Sequence, residues 1–262
     1  MNIIPKRSLG QNFLIDHNVL EKIVNIIEIK DKEILEIGPG SGNLTQYILR
    51  KKPKKFYVIE KDNNLSLLLH EKFNSEINII NDDVLRVSED KISKKKLIVF
   101  GNLPYNISTE ILSKWIVNIN KEFWFNELIL MFQKEVADRI IAKSNTSNYG
   151  RLSILSNWKL NVEKIIDIKP ESFSPRPKIE SSLLLFFPKK NFFNLKDPKN
   201  LEMITRIFFS QRRKMIKKPF NQLFNNSKKI SEKLGLDLNL RPQNLEPEIY
   251  YKITNEYENL RS

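Results

Sequence analysis

Asn102-Leu103-Pro104-Tyr105 brings together groups suited to an amino-bearing heteroaromatic ring. Asn102 carries a side-chain carbonyl acceptor. Pro104 removes a donor, fixes its own φ and biases Leu103 toward extended backbone, so the Leu103 carbonyl is held in a restricted direction. Tyr105 adds a flat apolar face. Acceptors beside an aromatic face match an exocyclic amine on a purine such as adenine. The same residues also read as a turn with an Asx cap ahead of a helix over 107–119.

A second constellation lies upstream. Glu36-Ile37-Gly38-Pro39-Gly40-Ser41-Gly42 follows an apolar run and precedes a helical one. Alternating glycines let backbone approach a ligand where a Cβ would clash. A dinucleotide fingerprint would need a third glycine at position 43, which is Asn43, so the E-x-G-x-G-x-G pattern fits S-adenosyl-L-methionine better than NAD. Glu60 at the tip of the next strand is placed to accept from both ribose hydroxyls. Asp83, with Val84, is the candidate for the cofactor's adenine, although a turn-forming Asp pair is the simpler reading. An amino-terminal arm, Lys6 to Leu14, offers Asn12 and the Leu14 backbone as a cover. The stiff loop Pro170 to Lys178 offers Phe173 as a second aromatic wall facing Tyr105, or as a core residue of a rigid connector.

The elements that must position these groups follow from pattern. Short apolar runs predict strands at 33–37, 56–60, 77–80, 97–100, 127–132, 162–168 and 183–187. Asp16 predicts the N-cap of the first helix. Strand, glycine loop and helix in that order make the first unit of a nucleotide-binding α/β fold. Residues 188–197 read as a linker, and helices follow near 200–210, 214–225, 231–234 and 247–259. The expected domains are therefore 1–189 and 190–262.

Composition narrows the function classes. The net charge is +13, and residues 190–262 hold 15 basic against 8 acidic residues, concentrated at Arg212-Arg213-Lys214 and Lys217-Lys218. Such density fits a polyanionic partner, RNA above all, or else a solvated lysine-rich face. The absence of cysteine excludes disulfides, thiolate nucleophiles and Cys-ligated metals, and the two histidines stand in no ligand pattern, so no metal is expected. No apolar run approaches a membrane span, and no signal peptide opens the chain, so the expected compartment is cytoplasmic and the membrane is excluded as a partner.

Together these segments resemble the KsgA-type ribosomal RNA adenine dimethyltransferases. The resemblance rests on Ser8 to Leu14, Glu36 to Gly42, Val58 to Asp62, Gly101 to Ser108, Phe173 to Lys178, Gln211 to Lys214 and Leu240 to Leu245. It implies a Rossmann-like seven-stranded methyltransferase sheet with a small all-helical carboxyl-terminal domain that binds RNA. It implies methylation, with S-adenosyl-L-methionine as methyl donor, of two adjacent adenosines in a hairpin loop near the 3′ end of 16S rRNA. The enzyme would act as a monomer on small-subunit rRNA within an immature 30S-type particle. By the family pattern the cofactor contacts are Asn12, Leu14, Gly38, Glu60, Asp83 and Asn102, and the catalytic pocket is Asn102, Leu103, Pro104, Tyr105 and Phe173. A large-subunit methyltransferase of the erythromycin-resistance type and a non-catalytic RNA-binding assembly or transcription factor are the rival readings.

Overall fold

The computed structural model describes residues 11–119 and 122–261; Lys6 to Gly10 of the expected arm lie outside the described residues. The chain divides into two compact units. The first holds the described residues up to Lys114 together with Ile119–Ala137 and Glu163–Pro188. The second holds Trp115–Asn118, Asp138–Val162 and the described residues from Lys189 onward. One division falls between Pro188 and Lys189, and residues 138–162 group with the second unit.

The strands and helices run β1 (Phe13–Leu14), α1 (His17–Val24), β2 (Glu33–Ile37), α2 (Asn43–Arg50), β3 (Lys55–Ile59), α3 (Asn63–Phe73), β4 (Asn78–Ile80), β5 (Leu97–Asn102), α4 (Ser108–Asn118), β6 (Phe125–Gln133), α5 (Lys134–Ile140), α6 (Arg151–Lys159), β7 (Leu160–Ile168), β8 (Phe173–Ser174) and β9 (Ser181–Pro188). Then come α7 (Pro198–Phe209), α8 (Lys217–Leu223), α9 (Ser227–Leu234) and α10 (Pro247–Asn259). The seven-stranded sheet has the order β4-β3-β2-β5-β6-β9-β7. From β2 the chain winds outward through β3 and β4, then returns to lay β5 on the other side of β2. β2 and β5 therefore flank a topological switch point, where an α/β sheet opens a crevice beyond its carboxyl edge. Both are parallel to their neighbours and buried on both faces, with Ile34, Leu35, Val99 and Phe100 fully buried. β9 runs antiparallel to β6, with Gln133 opposite Ser181.

The cap of α1 is where the sequence put it, and α3 has an Asp cap of the same kind. Asp16 accepts from the Asn18 and Val19 amides at 3.0 and 3.2 Å, and Asp62 accepts from the Asn64 amide at 3.0 Å. In the second unit, α8 begins at Lys217 rather than near 214. Pro219 is the reason: its ring excludes the carbonyl of residue 215 from a helical turn, so the proline is tolerated only in the first turn.

Candidate active site

Register sets the geometry of the crevice. Ile37 at the end of β2 pairs with Gly101 on β5, which places the glycine loop beside Asn102 to Tyr105. Gly101 leaves room here for leucine: a Cβ would fall 2.9 Å from Leu103 Cδ2 and 3.1 Å from Leu130 Cδ2, and both side chains would have to shift. Leu103 is thereby packed into the core while its backbone stays at the rim. The resulting cavity is about 270 Å³, and its wall includes Asn12, Leu14, Gly38, Gly40, Glu60, Asp83, Val84 and Asn102 to Tyr105.

The glycine loop has the backbone of a cradle. Gly38, Gly40 and Gly42 all have positive φ, of +64°, +59° and +80°. A Cβ would lie 2.5 Å from the Phe73 ring at Gly42 and 2.7 Å from the Phe13 ring at Gly40. Gly40 also donates its amide to Glu60 Oε2 at 3.1 Å, while the Asp62 amide donates to Oε1 at 2.8 Å. The Lys61 amide also acts on this carboxylate, which with three amide donors still has acceptor capacity for a hydroxyl. Burial raises the Glu60 pKa against the lowering effect of these amides. Glu36, deeper in the wall, is pushed up to about 8 by burial, opposed by the Thr45 hydroxyl that donates to Oε2 at 2.7 Å. A loop of left-handed glycines, closed by a buried carboxylate at the tip of β3, fits the ribose and amino-acid parts of S-adenosylmethionine.

The arm is bound in place by backbone and amides. Asn102 Nδ2 donates to the Asn12 carbonyl at 2.8 Å, and Asn43 Nδ2 donates to the Leu14 carbonyl at 2.8 Å. Asn43, the residue that departs from the dinucleotide pattern, is thus the tether of the arm. Because its Nδ2 is held by Asn12, the Asn102 amide is restrained in rotation, and Oδ1 is its remaining hydrogen-bonding atom, an acceptor. Asp83 caps its own turn through the Leu85 amide at 3.0 Å and pairs with Lys61 Nζ at 2.7 Å. That lysine contact holds its carboxyl below the usual range.

Phe173 departs from expectation. It is 3% exposed and sits in the hydrophobic core with Leu14 and Leu183 rather than as an open aromatic wall. Its backbone explains this. β8 pairs antiparallel with β1, Leu14 opposite Phe173, and the Ile15 amide donates to the Ser172 carbonyl at 2.8 Å. Ser172 Oγ also donates to Asp16 Oδ2 at 3.0 Å. The proline-rich loop therefore anchors the arm and buries Phe173 beneath it. Sequence reading missed Phe13, Gln11 and Lys61 as wall residues; only the proximity of Phe13 and Gln11 to Asn12 in the chain pointed to them.

Sheet order, glycine cradle and the Asn-Leu-Pro-Tyr rim define an α/β methyltransferase of the kind that modifies amino groups on bases. The model of the ribosomal RNA adenine dimethylase family matches residues 4–259. The chain belongs to that family of S-adenosylmethionine-dependent enzymes. It is 74% identical, over the full length of both chains, to ribosomal RNA small subunit methyltransferase A of Pelagibacter ubique. It is 42% identical to the protein of that name in Ehrlichia chaffeensis, over 97% of each. Among solved structures it resembles a dimethyladenosine transferase from Plasmodium falciparum, with a TM-score of 0.77, 26% identity and coverage of 94% and 97%. The 23S rRNA methyltransferase ErmE shares the fold, with a TM-score of 0.67 at 20% identity, covering 94% of this chain and 99% of ErmE.

Proposed function

We propose that the protein dimethylates the exocyclic amines of two adjacent adenosines in a hairpin loop near the 3′ end of 16S rRNA. The observation that carries this is the Asn102 amide, locked by the Asn12 carbonyl at the point where the glycine cradle meets the Tyr105 rim. The 74% identical relative supports the small subunit as the substrate.

An adenine amine is a poor nucleophile because its lone pair is delocalised into the ring. Asn102 Oδ1 and the Leu103 carbonyl accept its two hydrogens, which favours a tetrahedral nitrogen with a localised lone pair. Bound in the cradle, S-adenosylmethionine supplies a methyl on a cationic sulfur. Asn12, Leu14 and Gly38 place its amino-acid part, Glu60 its ribose and Asp83 with Val84 its adenine. Pro104 and Tyr105 form the rim against which the extruded target base stacks, worth roughly 1–3 kcal/mol. No base is needed at the outset, since the amine proton becomes acidic only as the new N–C bond forms. Positioning supplies most of the acceleration, about 7–11 kcal/mol in favourable cases. Phe173 contributes from the core, by holding the arm through Leu14.

The second unit, with residues 190–262 at its centre, is the RNA-binding part. Arg213, Lys214, Lys217, Lys218 and Arg241 line one open groove there. The setting is a cytoplasm-type compartment, an immature 30S-type particle and a monomeric enzyme. Labelled methyl transfer to immature small subunits, with the modified nucleoside identified, tests the whole reading. Dimethyladenosine in 16S rRNA is the expected product. Asn102→Ala should retain the fold and lose nearly all turnover, and an Asn102→Ala enzyme of full activity removes that residue from the mechanism.

A further inference from the structure

Tyr105 is the aromatic wall of the pocket, yet a bare phenyl ring would stack on a base equally well. What the hydroxyl does is visible in its partner. Tyr105 Oη lies 2.6 Å from Ser181 Oγ. Ser181 is fully buried and opens β9, paired across the sheet with Gln133. Its neighbours are clamped on both sides. The Lys134 amide donates to the Glu180 carbonyl at 3.0 Å, and Ser182 Oγ donates to Asp167 Oδ1 at 2.6 Å. Asp167 is itself paired with Lys164 Nζ at 2.7 Å and Lys134 Nζ at 3.4 Å. Ser181 is therefore a fixed point of the sheet.

Tyr105 is not fixed in that way. It follows Pro104 in a turn closed by the Ile107 amide on the Pro104 carbonyl at 3.1 Å, and it remains about half-buried. Its backbone is set by that turn, but its ring keeps two side-chain torsions. A hydrogen bond from the ring's far end to an immobile hydroxyl removes both at once. Burial pushes the phenol's pKa up, so the pair stays a neutral hydroxyl–hydroxyl contact at any working pH.

We infer that Ser181 is a positioning residue for methyl transfer: through Tyr105 Oη it holds the stacking face in the orientation that receives the target adenosine. This rests on the proposed activity on small-subunit rRNA. It assigns a reason for Tyr rather than Phe at position 105, and it places a determinant of base capture on β9, some eighty residues from the Asn-Leu-Pro-Tyr rim.

The test is a double-mutant cycle with Ser181→Ala, Tyr105→Phe and the two combined. Each substitution removes the same bond from one side, and Tyr105→Phe keeps the stacking face and leaves the sheet untouched. Each single variant should lose about three- to tenfold in kcat/KM for immature small subunits. Each should bind S-adenosylmethionine as the wild type does, and the combined variant should be no worse than the worse single one. Quenching of 2-aminopurine placed at the target position in a hairpin RNA should fall in both single variants. A merely structural Ser181 would instead lower stability and cofactor affinity without touching that quenching. Additive losses, unchanged quenching, or a Ser181→Ala enzyme as active as an active wild type would overturn the inference alone. A wild type that transfers no methyl to the small subunit would remove the functional reading and the inference with it.

Discussion

Lys114→Met is the most demanding perturbation of the cofactor side of the site. Lys114 rises from α4, the helix that begins just after the Asn-Leu-Pro-Tyr rim. Its ammonium donates to the Val84 carbonyl at 2.8 Å, the Val87 carbonyl at 2.6 Å and Glu89 Oε1 at 2.9 Å. The side chains are 19% and 6% exposed at Lys114 and Glu89, so the pair is mostly out of water. These three bonds close the turn that carries Asp83 and Val84 against the cavity. Breaking a buried pair costs about 3–5 kcal/mol, and the residual exposure of Lys114 puts this case near 3. A chain of this size loses roughly 2–4 °C in Tm per kcal/mol, so the variant should melt about 6–12 °C lower. The loosened turn must also be re-ordered when cofactor binds. Fixing even one residue's backbone costs about 1–2 kcal/mol, so affinity for S-adenosylmethionine should fall about tenfold or somewhat more. Calorimetric melting and titration of the cofactor measure both. A single variant within 2 °C of wild type, with unchanged cofactor affinity, would refute the claim that this cluster shapes the adenine side of the cavity.

Gly40→Ala should weaken cofactor binding at least tenfold, because the new methyl meets the Phe13 ring at 2.7 Å and a positive φ strains any side chain; adding Phe13→Ala should return part of the affinity in the same titration. Glu36 holds its proton to about pH 8 in the fold against 4.5 when unfolded, so its contribution to stability is full below about 4.5 and is lost as pH rises toward 8. Glu36→Gln, which mimics the protonated form, should therefore gain stability over wild type across that window, by up to about 1.4 kcal/mol per pH unit; a Tm difference that stays flat from pH 5 to 8.5 contradicts this. Arg213→Glu with Lys214→Glu should lower RNA affinity and reduce the salt slope by about 2, since both side chains are exposed along the groove. Arg212→Ala should act differently, lowering thermal stability with little change in slope, because its guanidinium is spent on Gln243 Oε1 at 3.2 Å and on the carbonyls of Thr146 and Ser147.

The chain itself determined the elements with a strong local signal. Period, caps and glycine spacing located β2, the glycine cradle and Glu60, because a strand end, a left-handed glycine and an Asp cap are each dictated within a few residues. Asn102 to Tyr105 was legible for the same reason: a proline and an acceptor at a strand's end have few local alternatives. The helix α6 was not legible. Ser153, Ile154, Leu155, Ser156, Trp158 and Lys159 are all buried there, so no polar face alternates with an apolar one to mark the helical period. Lys159, despite its charge, is buried: it donates to the Ile116 carbonyl at 3.0 Å and stands 3.9 Å from the centre of the Trp158 ring. Tertiary structure alone decided which partner each loop residue took. Phe173 went to the core because β8 pairs with β1, Asn102 was oriented by a carbonyl ninety residues away, and Tyr105 was tethered to Ser181. Such contacts depend on which strands become neighbours, and a sequence window carries the propensity of each strand but not the identity of the strand laid beside it.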